Sequence, residues 1–500
     1  MFAVELGETR FEYDVQALVK AFYPEENVRI ITPDMGEEKR AEAEKSIRLK
    51  VELLPDGARV SFLLPPAEKD AAGSAEGTVE KSYVWQAETG DREGKAYKTE
   101  FKRFFYTVLS EHTKKTLPWG SLTGIRPTKI AMGLLEEGKS REEVISFMQR
   151  EYFVSSNKAA LSVEIAEREK ELLSRIHYED GYSLYIGIPF CPTTCLYCSF
   201  TSYPLCRFEK LVEVYIDCLI KELRFVGEAC CGRVLDSVYI GGGTPTTLQP
   251  AQLDRLLSAL REHFDFSTVQ EFTVEAGRAD SITEEKLAVL KKHGVGRISI
   301  NPQTMKEETL RLIGRQATPK QVREAFAMAR AAGSFNINMD IILGLPGEGE
   351  EDVKNTMEEI AAMKPDSLTV HSLAIKRASN LSKWILDNGI ESLKNTDRTM
   401  EIAAQGAVGL HMHPYYLYRQ KNMSGNFENV GYATEGNYGL YNILIMEEKQ
   451  TIVACGAGSI TKAVYPDGRI ERMDNVKDVM LYIEKIDEMM ERKRKLLTNF

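Results

Sequence analysis

Three cysteines carry the most legible chemistry. Cys191, Cys195 and Cys198 stand in Gly187-Ile-Pro-Phe-Cys-Pro-Thr-Thr-Cys-Leu-Tyr-Cys-Ser-Phe200, a C-x-x-x-C-x-x-C spacing. Pro189 and Pro192 forbid a regular helix here, so a loop is expected to turn the three thiolates toward one point. Soft thiolates select zinc or iron–sulfur clusters. A structural zinc wants four closed ligands, usually from paired C-x-x-C knuckles, and no second pair lies nearby. A [4Fe–4S] cluster normally takes four cysteines. Three leave one iron open, which makes a cluster reactive and not only electron-carrying. Reduced structural thiols are the alternative, but thiols set between prolines have no packing reason to gather.

Three further blocks follow in order: Tyr239-Ile-Gly-Gly-Gly-Thr-Pro-Thr246, Ser299-Ile-Asn-Pro-Gln303 and Asn338-Met-Asp-Ile-Ile-Leu-Gly-Leu-Pro-Gly347. Together with the cysteine trio and its preceding aromatic, Tyr197, they resemble the radical S-adenosylmethionine (SAM) superfamily. Within it the chain is similar to the oxygen-independent coproporphyrinogen III oxidase family, most of all its coproporphyrinogen dehydrogenase branch. The resemblance runs over about residues 180–465. It implies that Cys191, Cys195 and Cys198 ligate a [4Fe–4S] cluster whose open iron is chelated by the methionine part of SAM. It also implies that Gly241, Gly242, Gly243 and Thr244 form the edge that bonds the methionine amino group, with Glu275 in contact with SAM. Gln303 and Asp340 match positions that reach the ribose and methionine portions. Arg315 matches an arginine that pairs the methionine carboxylate, a task suited to a bidentate fork. Gly344 opens a turn that would line the adenine, and Tyr197 and Phe200 flank the last cysteine where they could pack against it. After Glu275 the chain departs from the family: Ala276-Gly277-Arg278 stands where Ala-Asn-Pro is usual.

The implied activity is that of a radical SAM oxidoreductase of porphyrin and heme biosynthesis. It removes two propionate carboxyls of coproporphyrinogen III without oxygen, leaving vinyls and giving protoporphyrinogen IX. In that chemistry the reduced cluster gives one electron to SAM, which breaks into methionine and a 5′-deoxyadenosyl radical. The radical takes a hydrogen from the propionate β-carbon, and loss of CO2 and one electron leaves the vinyl. A one-electron reductant such as flavodoxin or ferredoxin is then a required partner. No catalytic side chain is assigned beyond the cluster. A tetrapyrrole carrying four carboxylates wants Arg and Lys about the mouth of its site. Arg126, Arg207, Arg377, Arg419 and Lys421 are candidates by loop position. Two departures keep other activities open. Phe200 occupies the position of the oxidases' fourth cysteine, and the heme-chaperone branch also lacks that cysteine. The chaperones' His-Asn-x-x-Tyr-Trp motif has no counterpart here, the nearest stretch being Asn429-Val-Gly-Tyr432. The alternatives are a heme-binding or heme-transfer chaperone and a radical SAM enzyme that opens the heme ring anaerobically. His411 and His413 either close a helix or ligate a metal or heme.

The elements that must hold these residues read as strand–helix alternation. Strands are expected at 184–188, 237–240, 271–275, 297–300, 336–342 and 367–370, with amphipathic helices between them. Six such units imply a parallel, right-handed, barrel-like sheet, and the resemblance implies a partial (β/α)6 barrel in an α/β fold. Reactive loops then belong at the C-terminal strand ends. Residues 1–115 read as an N-terminal α+β domain with a hairpin over Pro55-Asp-Gly57, and 67–80 as a flexible loop. Residues 116–180 read as a helical linker, 181–375 as the barrel, and 376–500 as an α+β domain that closes over the substrate and ends in one helix from 476 to 499. The net charge of −10 disfavours nucleic acid as a partner. No signal peptide or membrane span is apparent, so a cytoplasmic protein with reduced thiols is expected.

Overall fold

The computed structural model describes residues 1–63, 79–89, 91–124, 126–376, 379–419 and 423–498, without the side chains of Glu42 and Ser424. The chain divides into two compact units, 1–163 with 419–427 and 164–418 with 428–500.

The first unit holds five strands: β1 (Phe2–Leu6), β2 (Val28–Ile31), β3 (Ile47–Leu54), β4 (Gly57–Leu63) and β5 (Val79–Gln86). Their order is β2-β1-β3-β4-β5. The expected hairpin joins β3 and β4 antiparallel. Helices Glu12–Phe22 and Lys95–Thr113 bury Val15, Leu18, Phe22, Phe101 and Phe105 in the same core as Val4, Leu49 and Val60. Strand β5 was not expected from sequence, because six of its eight residues are exposed and it lacks an apolar period. Of the expected 67–80 loop, 67–78 lies outside the described residues, and Val79 and Glu80 open β5.

The second unit carries the barrel. Strands β6 (Gly181–Ile188), β7 (Phe190–Cys191), β8 (Tyr203–Pro204), β9 (Val234–Gly242), β10 (Glu271–Glu275), β11 (Arg297–Ser299), β12 (Asn336–Leu343) and β13 (Ser367–Ser372) come first. They are followed by β14 (His413–Tyr418), β15 (Asn429–Ala433), β16 (Thr451–Cys455), β17 (Ile460–Val464) and β18 (Ile470–Asp474). Six parallel strands run β6-β9-β10-β11-β12-β13. Their apolar residues, among them Leu184, Ile186, Val238, Ile240, Val274, Ile298, Ile337, Met339, Leu368 and Val370, are buried, as in a sheet covered on both faces. This is a partial (β/α)6 barrel in an α/β fold. The sheet continues on both edges. Antiparallel β15 and β14 extend it beyond β13, and parallel β16 with antiparallel β17 and β18 extends it beyond β6.

The helix starts follow their capping residues. Thr283 accepts from Lys286 N, and Thr318 closes a capping box ahead of Pro319–Ala332. The single terminal helix expected from 476 is instead two, Val479–Glu484 and Ile486–Leu497, broken at Lys485. His411 takes a left-handed conformation with φ 56, and His413 opens β14. Both side chains are exposed.

Candidate cluster and SAM site

Strand β6 delivers the chain to Pro189, and the thiol loop then runs to β8, which pairs parallel with β7. Three backbone bonds fix the loop: Tyr203 N to Pro189 O at 2.7 Å, Leu196 N to Ile313 O at 3.0 Å, and Leu381 N to Leu196 O at 2.9 Å. Thr193 Oγ1 donates to Gly314 O at 2.7 Å. All three thiols are partly buried. Cys191 Sγ lies 3.4 Å from Thr244 Oγ1, Cys198 Sγ 3.7 Å from Ser202 Oγ, and Cys195 Sγ 3.9 Å from Arg278 Nη1. Burial pushes the Cys191 thiol up to about 11, against the pull of the Thr244 hydroxyl, and also raises Cys198. Ligation at neutral pH therefore releases protons.

Among the described residues, no three His, Cys, Asp or Glu side chains are grouped so as to hold a metal ion. A [4Fe–4S] cluster makes a different demand, since each cysteine binds a different iron of the cube. Three thiols spread around one loop match that demand better than they match a mononuclear site.

The glycine edge abuts this loop. Gly243 N donates to Ile188 O and Thr244 N to Phe190 O, each at 2.7 Å. A Cβ on Gly243 would lie 2.6 Å from Phe190 O. Gly242 has φ +104, and a Cβ on Gly241 would meet the Glu275 carboxyl at 2.9 Å. Only glycines allow this approach of β9 to the loop and to β10. Glu275 ends β10 and accepts from Tyr239 Oη at 2.5 Å. Burial raises its carboxyl to about 7, against the Tyr239 hydrogen bond, and nearby Asp340 adds to the rise. Tyr239 stacks on Tyr441 at 4.3 Å between ring centroids, and Tyr185 lies 6.2 Å from Tyr239.

Gln303 is buried and holds φ 68, an uncommon conformation for a residue other than glycine. It is bridged to β12 by Gln303 N to Asp340 O and Ile342 N to Gln303 O, both at 2.9 Å. Asp340 accepts from Asn338 Nδ2 at 2.7 Å and faces His371 Nε2 at 3.6 Å. Burial pushes its carboxyl up, but His371 and Asn338 outweigh that and hold it below its ordinary value. Gly344 follows β12 with φ +84. Arg315 Nη1 donates to Asn301 O and, at 3.2 Å, to Gly277 O. Burial works against the Arg315 charge, and neighbouring Tyr197 and Cys195 outweigh it and raise the guanidinium above its ordinary value. Tyr197 packs against the apolar cluster that holds Leu310, Ile313 and Leu345. Phe200 is 75% exposed.

The arrangement fits an amino-acid-bearing cofactor. Arg315 Nε, Asn301 Oδ1 and Ser299 Oγ are buried without a hydrogen-bond partner, an unmet demand that a bound polar ligand answers. One polar group of the site, His371, escaped the sequence reading, and Asn338 was read only as the start of its block. The signal was there, because polar residues alternate in otherwise apolar strands as Asn338 and Asp340, and as Thr369 and His371, which puts each pair on one strand face.

The candidate substrate cations that are described fall in both units, Arg126 and Arg419 in the first and Arg207 in the second. Arg377 and Lys421 lie outside the described residues. Arg419 belongs to the first unit, where it is buried and donates to Leu122 O at 2.6 Å and to Asn426 Oδ1 at 2.7 Å. Arg207 is exposed and Arg126 half-buried.

A model of the Radical SAM superfamily matches residues 185–360. The oxygen-independent coproporphyrinogen-III oxidase-like protein HemZ of Bacillus subtilis (strain 168) is 40% identical over 408 residues, covering 81% of this chain and 81% of that protein. The chain belongs to the oxygen-independent coproporphyrinogen III oxidase-like family of radical SAM proteins. It is a radical SAM enzyme, and its cofactors are a [4Fe–4S] cluster and SAM. Two other kinds of relative are more distant. The heme chaperone HemW of Escherichia coli (strain K12) is 27% identical over 58% of this chain and 72% of that protein. The oxygen-independent coproporphyrinogen III oxidase of Salmonella typhimurium is 27% identical over 62% of this chain and 66% of that protein. Among solved structures, coproporphyrinogen III oxidase (HemN) from Escherichia coli aligns with TM-score 0.49 at 22% identity, over 64% of this chain and 72% of that one.

Proposed function

We propose that this radical SAM enzyme oxidatively decarboxylates coproporphyrinogen III to protoporphyrinogen IX without oxygen. The observation that carries this reading is the thiol loop seated directly on the glycine edge, with Glu275 and the open Arg315 Nε beside it, in a chain 40% identical to an oxidase-like relative. Cys191, Cys195 and Cys198 hold three irons and leave the fourth for SAM. The Gly241–Thr244 edge and the Glu275 carboxylate receive the methionine ammonium, and Arg315 receives the carboxylate. Gln303 and Asp340 orient the ribose and methionine portions. Gly344, Tyr197 and Phe200 border the adenine. When bound, the two cofactors together supply one-electron cleavage that makes a hydrogen-abstracting radical. The tetrapyrrole substrate and a one-electron reductant such as flavodoxin or ferredoxin are the partners this requires. The eight unpaired cysteines suit the reducing cytoplasm. Among the described residues no helix is long and apolar enough to cross a membrane.

A heme-binding role is the second reading, favoured by the chaperone relative. Against it, the stretch nearest the chaperone motif is the fully buried strand β15, and Asn429 Oδ1 is engaged by Ser372 N at 2.9 Å.

The test is anaerobic loading with iron and sulfide, reduction, and addition of SAM, coproporphyrinogen III and an electron acceptor. Tetrapyrrole and 5′-deoxyadenosine products are followed by mass, with Cys195→Ala as the blank. A divinyl product from the wild type alone is expected. Production of 5′-deoxyadenosine with the porphyrinogen untouched would overturn the substrate assignment.

A further inference from the structure

The sequence departs from its family directly after Glu275, and the structure gives that departure a place. Gly277 and Arg278 leave the end of β10 and turn back toward the thiol loop. Arg278 is 3% exposed. Its Nε and Nη2 form a fork on Asp280, at 3.0 Å to Oδ1 and 2.7 Å to Oδ2. This fork fixes the plane of the guanidinium and leaves Nη1 to face the loop, where it donates to Thr193 Oγ1 at 3.0 Å and reaches Cys195 Sγ at 3.9 Å. The same turn also holds the second guanidinium of the site, because Gly277 O accepts from Arg315 Nη1. A side chain on Gly277 would press on Asn301 Nδ2 at 3.2 Å.

We propose that Arg278 is a positioning residue that donates an N–H···S hydrogen bond to the Cys195 thiolate and thereby raises the reduction potential of the cluster. This rests on the reading of Cys195 as a cluster ligand. Reduction adds one negative charge to the cluster. A guanidinium beside one of its sulfurs stabilises the reduced form more than the oxidised one, and hydrogen bonds to cluster sulfurs are among the protein's means of setting the potential. Asp280 opposes part of that effect, since its carboxylate lies against the same guanidinium. The pair therefore makes a signed prediction. Removing the cation should lower the potential, and removing the anion while keeping the cation should raise it. A purely structural role for this ion pair would not produce opposite signs.

The experiment loads wild type, Arg278→Gln and Asp280→Asn with iron and sulfide, measures the iron and sulfide bound per chain, and then follows the cluster's spectroscopic signal through a reductive titration. The expected result is equal iron content, with the reduction equilibrium about tenfold less favourable in Arg278→Gln, close to 59 mV for one electron, and shifted the opposite way in Asp280→Asn. If Arg278→Gln takes up no iron, the upward shift in Asp280→Asn still supports the proposal. Potentials equal to wild type in the loaded variants overturn it and leave the cluster assignment standing. Failure of the wild type to bind iron and sulfide overturns both.

Discussion

At the scale of single residues, Glu275 is the group whose state most depends on its surroundings. Burial raises its carboxyl from 4.5 to about 7. The folded chain therefore favours the protonated form, and the contribution of Glu275 to stability falls as pH rises from about 4.5 through 7. Binding of a cationic ammonium needs the opposite form. The ionised fraction of a group at about 7 grows roughly tenfold between pH 6 and pH 8, and SAM affinity is expected to tighten by up to that factor over the same interval. Glu275→Gln keeps an acceptor for Tyr239 Oη and removes the titration. Calorimetric SAM binding at the two pH values checks this: the variant should bind more weakly at pH 8 and show a flatter profile. An equally steep profile in Glu275→Gln would remove Glu275 from the ammonium site. Glu275 was named from sequence because it ends the stretch 271–275 that reads as a strand, and β10 ends there. Tyr441 was not legible. It comes from a distant helix, and only the folded barrel stacks it on Tyr239.

At the scale of elements, the six parallel strands were readable because buried strands and amphipathic helices alternate with strong periods. The flanking strands β14, β17 and β18 were not, since they lie beyond the strand–helix alternation that marked the others. The break at Lys485 was also hidden, because no proline or glycine stands between Val479 and Leu497. The element that decides the site is the end of β9. A methyl at Gly243 must displace Phe190 O or Ile188 O, at 2.6 and 2.9 Å from the added carbon. Both carbonyls belong to the segment that starts the thiol loop, so it cannot move without the thiols. Gly243→Ala is expected to cost on the order of 2 kcal/mol in stability and to cut iron uptake and SAM affinity by about tenfold or more. Gly296→Ala, where nothing lies within 4 Å, is the neutral control. Denaturant melts and iron analysis of the two variants check the contrast, and a Gly243→Ala chain that loads and binds like wild type would show that this crossing tolerates a shift.

At the scale of the whole molecule, the second unit is tied together by a buried ion pair far apart in sequence. Lys493 Nζ lies 2.5 Å from Glu222 Oε1, and both side chains are wholly buried. Glu222 also accepts from Gly456 N at 2.8 Å, Tyr482 Oη at 2.6 Å and Asn475 Nδ2 at 2.8 Å. The helix that carries Glu222 braces the site, because Tyr215 Oη donates to Gly187 O at 2.7 Å, where the thiol stretch begins. Burial pushes the Glu222 carboxyl up, and Lys493 outweighs it and holds it below the ordinary value. Its stabilisation is thus present above about pH 4.3 and lost as pH falls through the lower folded value. Burial pulls Lys493 down, and Cys455 and Glu222 outweigh that and raise it, so its share is present below about pH 10.4 and lost above the folded value. Lys493→Met leaves a buried carboxylate without its cation and is expected to cost about 3–5 kcal/mol. Glu222→Gln combined with Lys493→Met removes both charges but keeps an acceptor for Gly456 and Tyr482. The double variant should therefore be more stable than Lys493→Met alone, a coupling that denaturation midpoints can measure. A double variant no more stable than Lys493→Met would mean that packing, not the pair, holds the terminal helix against the barrel.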